Sequence, residues 1–289
     1  MNERTKGLIC VVGASLLYST GGLLMKWVPW NGMAINGARM LLSMVLLVAF
    51  LKLIGHKIRM NRWIFLGSLC FLGATALFSV ANKLTTAANA IVLQFTAPIF
   101  LIIYMTIFLR KRPTRLDLGA CVVTFGGVIC FFLDGLSGGS VVGNVVAILS
   151  GATYGGLFLL RSMPDGDAYS SVFWGSLWGL LLGMPYVAQE TDFSPRVLLC
   201  VALLGLFQVG LGYILLCVGL QYTPPITACL VSGIEPVLNP ILVAIFYHET
   251  MTTLSMVGAV IVIAGVIGYN ILQEKLKPTS VGEKTLTNE

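Results

Sequence analysis

Glu235 lies in the stretch "GIEPVLNP" (233–240), directly before Pro236, with Asn239 directly before Pro240. The surrounding run, "PPITACLVSGIEPVLNPILVAIF", is apolar enough to sit in lipid. As a helix from Tyr222 to Tyr247, it would hold Glu235 about 18 Å from either end, at ~1.5 Å rise per residue, too deep for a carboxylate to reach the interface. An ionised acid at that depth costs about 2.5–3.5 kcal/mol on insertion scales, which argues against an unpaired, lipid-facing position. Three arrangements satisfy it: a protonated resting state, a wet cavity, or a cationic partner. The first two describe a proton-coupling site and the third describes recognition of an amine. A structural acid bonded to backbone freed by the neighbouring proline is the alternative. Pro236 and Pro240 each remove a helical hydrogen bond, so the helix is expected to kink or open there.

Other polar groups stand alone in apolar runs. Asn89, Gln94 and Pro98 share one run, with Gln94 and Pro98 four residues apart on one face. They could contact a solute or only bridge helices. Arg39 sits about two turns into another run. Its fork could capture a carboxylate, or its long stem could carry the charge to the interface or cap a neighbouring helix. Tyr18, Tyr154, Trp174, Trp178 and Tyr213 are candidates for a cavity wall, Tyr18 and Tyr213 foremost, because an aromatic face receives a ring or a cation. Trp27, Trp30 and Trp63 read as interface anchors. No catalytic constellation emerges: the two histidines, His56 and His248, lie at run ends. No nucleotide-binding motif, metal-ligand cluster or cofactor signature is present in the sequence. Any uphill transport would therefore draw on an ion gradient or the solute's own.

The elements that must position these groups are membrane helices. The 289 residues are 57% hydrophobic and only 10% charged, with a mean hydropathy of +0.90, too few charges to cover a soluble surface. Bilayer-length apolar runs can be placed ten times, at 7–27, 33–54, 63–81, 85–109, 117–134, 143–161, 168–188, 197–219, 223–247 and 253–272. The first run continues straight into further spans, unlike a cleaved leader. All seven cysteines fall within or beside these runs and read as small apolar fillers. The net charge of +6 could suggest nucleic acid, but its distribution does not. Fourteen of the eighteen Lys and Arg residues lie on one set of loops, three (Lys26, Lys83, Arg196) on the other, and Arg39 lies within a run. That asymmetry places both termini in the cytoplasm.

The chain also repeats itself. Sliding it by 138 residues lays "VANKLTTAANAIVLQFTAPIFLIIYMTIF" (80–108) on "VGLQYTPPITACLVSGIEPVLNPILVAIF" (218–246), so that Thr85 meets Thr223, Pro98 meets Pro236 and Phe108 meets Phe246. A near-equal offset pairs Tyr18 with Tyr154. Two halves of five spans follow, at 1–137 and 138–275, with 276–289 expected to be a disordered cytoplasmic tail. Five is odd, so the second half enters the membrane inverted, an arrangement used by many secondary carriers.

These matched segments, together with "GASLLYSTGGLLMKW" (13–27), "NGARMLL" (36–42) and "GATYGGLFLLR" (151–161), resemble the EamA-type branch of the drug/metabolite transporter superfamily along nearly the whole chain. The resemblance implies a ten-helix, two-repeat carrier, usually in a bacterial inner membrane and often exporting amino acids or other small metabolites. One departure stands out. Members commonly close the fourth helix with an acid, where this chain reads "FLRKRPTR" (108–115), whereas the ninth keeps Glu249 in "FYHET".

The expectation is an all-α membrane protein of ten spans in two inverted repeats, multi-pass in the inner membrane. It would move amino acids or related amines outward by alternating access, with protons as candidate coupling partner and no nucleic acid. A passive facilitator or a lipid-carrier flippase is the alternative. A monomer would suffice to enclose a cavity, with a dimer left open.

Overall fold

The computed structural model describes residues 2–85, 87–133, 140–238 and 252–275, and those residues contain helices and no strand. The first span is α1 (Glu3–Ser19) continued by α2 (Gly21–Lys26), and the second and third are α3 (Gly32–Leu53) and α4 (Arg62–Leu84). The fourth is broken into α5 (Ala87–Gln94) and α6 (Ala97–Phe108). The fifth, sixth and seventh are α7 (Arg115–Phe132), α8 (Val141–Leu159) and α9 (Ala168–Val187). The eighth joins α10 (Pro195–Leu203), a π-helical stretch over Leu204–Leu211, and α11 (Gly212–Tyr222). The ninth begins with α12 (Pro225–Val231) and passes through a 3₁₀ turn at Ser232–Ile234, and α13 (Thr253–Lys275) is the tenth. Seven helices among the described residues are long and apolar enough to cross a membrane, and the apolar helix Pro225–Leu238 is shorter as described.

Helix starts follow local chemistry. Asn31 and Asn61 accept hydrogen bonds from the first free N–H groups of α3 and α4, Asp167 does so for α9, and Thr114 with Asp117 forms a capping box on α7. Pro195 and Pro225 occupy first-turn positions, where the missing N–H costs nothing. The two internal breaks have a common cause. A proline clashes with the carbonyl four residues earlier. For Pro98 that residue is Gln94, and the chain turns at Phe95–Thr96; for Pro236 it is Ser232, where the 3₁₀ turn begins.

The surface is apolar and the interior holds the polar groups, as suits a lipid solvent. Val45, Ile107, Val122 and Val260 face outward, whereas Asn36, Arg39, Ser43, Ser79 and Gln208 are buried. The most extensive packing joins α3 to α9, α4 to α8, α7 to α13 and α1 to α11, with α4 on α9 and the π-helical stretch on α3 following. Small residues permit the close crossings: a Cβ on Gly183 would stand 2.3 Å from the Cα of Gly37, so α3 and α9 touch backbone to backbone.

Candidate functional site

One internal cavity collects polar side chains from both halves of the chain. It is lined by Tyr18 from the first span, Arg39 from the second, Ala74, Thr75 and Phe78 from the third and Gln94 from the fourth. From the second half come Tyr154, Gln208, Val209, Tyr213 and Glu235. The breaks in the fourth and ninth spans supply two of these groups. Gln94 ends α5 immediately before its break, and Glu235 follows the 3₁₀ turn, half-buried. The π-helical stretch of the eighth span delivers Gln208 and Val209 to the cavity wall.

Arg39 is 2% exposed, so its stem carries the charge inward and not to the interface. Its Nη2 donates to the Thr75 carbonyl at 2.8 Å, Ser79 Oγ at 2.8 Å and Asn36 Oδ1 at 3.1 Å. Its Nη1 makes a long contact of 3.4 Å to Gln208 Oε1. Every one of these partners is neutral. Among the described residues no carboxylate lies within 4 Å of Arg39, and its Nε has no acceptor. A buried cation without a counter-charge is costly, and this one borders a cavity that also holds a carboxylate.

The rest of the wall is aromatic and amide. Tyr213 packs between Tyr18, with centroids 5.0 Å apart, and Phe71, at 4.6 Å edge to face. Tyr18 and Tyr154, the pair that the repeat aligns, both lie in this wall and are buried. The Tyr18 hydroxyl has no hydrogen-bond partner among the described residues. Gln94 donates to Ser150 Oγ at 2.7 Å and the Ala74 carbonyl at 3.3 Å, which ties α5 to α8 and α4. The cavity volume is about 30 Å³, room for one or two waters and far below the roughly 300 Å³ at which small-molecule pockets begin. This conformation would have to open to load a solute.

Of the residues singled out in the sequence, the cavity brings together Glu235, Arg39, Gln94, Tyr18 and Tyr213. Asn89 is elsewhere: its Nδ2 lies 3.3 Å from both Thr85 Oγ1 and Asn144 Oδ1, so its contact bridges the fourth and sixth spans. Pro98 and Pro236 are buried beside the breaks. Asn239, Pro240, His248, Glu249 and the tail 276–289 lie outside the described residues. Trp174 and Trp178 stack at 5.9 Å away from the cavity, donating to the Arg59 carbonyl and to Ser68 Oγ. Trp30 is no interface anchor; it is 3% exposed and donates to the Asp192 carbonyl at 2.7 Å. Gln208 carries the same signal as Gln94, a lone amide within an apolar run, here 197–219. Thr75 contributes through its backbone carbonyl, which no side-chain pattern reveals.

Helices of bilayer length, an apolar exterior and a polar cavity between them define a multi-pass membrane protein. The model of the EamA-like transporter family matches residues 5–133 and again 141–271, and the chain belongs to that family. A relative from Salmonella typhimurium, the uncharacterized inner membrane transporter YicL, is 24% identical, the match covering 92% of this chain and 96% of that one. The uncharacterized transporter YwfM of Bacillus subtilis is 26% identical, covering 92% and 94%. Human solute carrier family 35 member G1 is also 26% identical, covering 92% and 79%. A solved crystal structure shares the fold with a TM-score of 0.78 at 15% identity, covering 94% of this chain and 99% of that one.

Proposed function

We propose that the protein is a secondary carrier that exports small metabolites, amino acids or related amines, across the bacterial inner membrane by alternating access. The observation that carries this reading is the central cavity itself. It joins a carboxylate, a buried cation, two amides and three tyrosines at the meeting of the two halves, where inverted-repeat carriers hold their solutes. Glu235 is the coupling or amine-recognition group, Arg39 the partner for negative charge, and Gln94 and Gln208 the neutral polar contacts.

Three features support inverted halves of five spans. The family model matches twice, once on each half. The breaks at Phe95–Thr96 and at Ser232–Ile234 fall at corresponding positions under the 138-residue offset. The helix packing also maps onto itself when the halves are exchanged. The pairs α3 with α9 and α7 with α13 are their own images, α4 with α8 becomes α11 with α1, and α4 with α9 becomes the eighth span with α3. Both termini would then face the cytoplasm, a reading the distribution of Lys and Arg supports.

Reconstituted transport tests the reading. In proteoliposomes loaded with a metabolite panel, Glu235→Gln and Glu235→Ala should lower transport of the best solute by tenfold or more and flatten its pH dependence. Wild-type rates with an unchanged pH profile in both variants would exclude Glu235 from coupling and recognition. Non-saturating flux without counterflow would point to a passive facilitator.

A further inference from the structure

A second pocket, separate from the polar cavity, opens where α4, α6 and α8 converge at the basic end of the bundle. Its wall includes Trp63, Leu66, Cys70, Tyr104, Phe108 and Met163, and its volume is about 160 Å³. It lies against Gly156, where an added Cβ would stand 2.6 Å from Cys70 Sγ. An apolar cavity of roughly 150 Å³ is large enough to hold benzene, so the space admits a short run of hydrocarbon. Leu66 and Phe108, on its rim, are exposed on the apolar outside of the bundle, which lets a chain enter from lipid.

The rim is also cationic. Arg62 lies 5.3 Å over the Trp63 ring. Two residues past Phe108 begin Arg110, Lys111 and Arg112, all exposed. None of the four has a carboxylate within 4 Å among the described residues. Three acids belong to the region: Asp117 is buried and accepts a hydrogen bond from Tyr269 at 2.7 Å, Asp167 pairs with His56 at 2.7 Å, and Asp165 is exposed two residues past Met163. One free acid against four cations leaves a positive rim. The Trp63 indole N–H has no acceptor among the described residues, so the wall also holds an unused donor. This is the segment where the sequence reads "FLRKRPTR" and not an acid.

We propose that this pocket is an anionic phospholipid site, with one acyl chain between α4, α6 and α8 and the phosphate held by Arg62 and the 110–112 cations. Basic pockets between membrane helices bind such headgroups, each cation contributing attraction that falls off within a Debye length. The site is independent of the solute cavity and of what the carrier moves.

Quenching of Trp63 tests it. Full-length protein is reconstituted in phosphatidylcholine vesicles containing increasing fractions of brominated phosphatidylglycerol or of brominated phosphatidylcholine. The Trp63 contribution is the difference between wild type and Trp63→Phe. That contribution should be half-quenched at a roughly fivefold lower fraction of the anionic lipid, the scale of a single surface cation. The variant Arg110→Gln/Lys111→Gln/Arg112→Gln, confined to an exposed loop, should reduce the preference, and adding Arg62→Gln, which removes the last assigned cation, should bring the two lipids to parity. Cys70→Phe, which fills the pocket, should reduce quenching by both. Equal quenching of the wild type by the two lipids would overturn the proposal, as would a preference that survives loss of all four cations.

Discussion

At the scale of single residues, the cavity is defined as much by unmet hydrogen-bonding capacity as by charge. Tyr18 is 4% exposed with its hydroxyl unpartnered among the described residues. A buried polar group left unsatisfied costs about 1–3 kcal/mol, so its retention is best explained by a partner that arrives with the solute. Tyr18→Phe should therefore leave thermal stability in detergent unchanged or raised, by about 1 kcal/mol, while the KM for the transported solute rises about tenfold through loss of one hydrogen bond. Reduced stability with an unaltered KM would assign the hydroxyl a structural role. Residues of this kind were legible in the sequence where a polar group interrupts an apolar run, as Glu235, Arg39 and Gln94 do. The direction of each side chain was not legible. In the sequence Arg39 reads first as an interface cation or a cap on a neighbouring helix, until its bonds to Thr75, Ser79 and Asn36 turn it inward, and Asn89 shares a run with Gln94 yet bonds to Asn144.

At the scale of elements, prolines announced the breaks and packing fixed their form. Pro98 and Pro236 are visible in any reading of the sequence, and the steric conflict with the residue four earlier accounts for where the helices yield. The π-helical stretch at Leu204–Leu211 has no such herald. It contains no proline and is apolar like the helices on either side, yet it is what carries Gln208 toward Arg39. The two breaks also meet. A Cβ on Gly233 would stand 2.5 Å from Cζ of Phe95, so the discontinuity of the ninth span rests on that of the fourth. Overpacking a buried contact typically costs about 1–3 kcal/mol. Gly233→Ala should accordingly lower thermal stability by that amount, and Phe95→Leu in the same chain should recover most of the loss, a coupling read from a double-mutant cycle. If Gly233→Ala alone is neutral, the breaks do not bear on each other in the folded carrier.

At the scale of the whole molecule, charge and packing bear on the same question from different sides. The spacing of apolar runs leads to an expected number of spans, and the Lys and Arg distribution to an expected direction; neither depends on knowing any contact. The self-mapping of the helix pairs is invisible in the sequence, because it rests on which helices meet and not on what they are made of. It supports a repeat of the same arrangement in the two halves, the fifth span packing on the tenth and the second on the seventh. Under the proposed five spans per half, an odd number, the second half would enter inverted and an even total would return the chain to its starting side. A fluorescent protein fused after Glu289 should therefore be bright in cells, and alkaline phosphatase fused there should be inactive. Alkaline phosphatase inserted between the seventh and eighth spans, beside Gln189, should be active. Active phosphatase at the C-terminus would mean that the last span crosses the other way. The chain would then cross an odd number of times, and two inverted halves of five spans each would be ruled out.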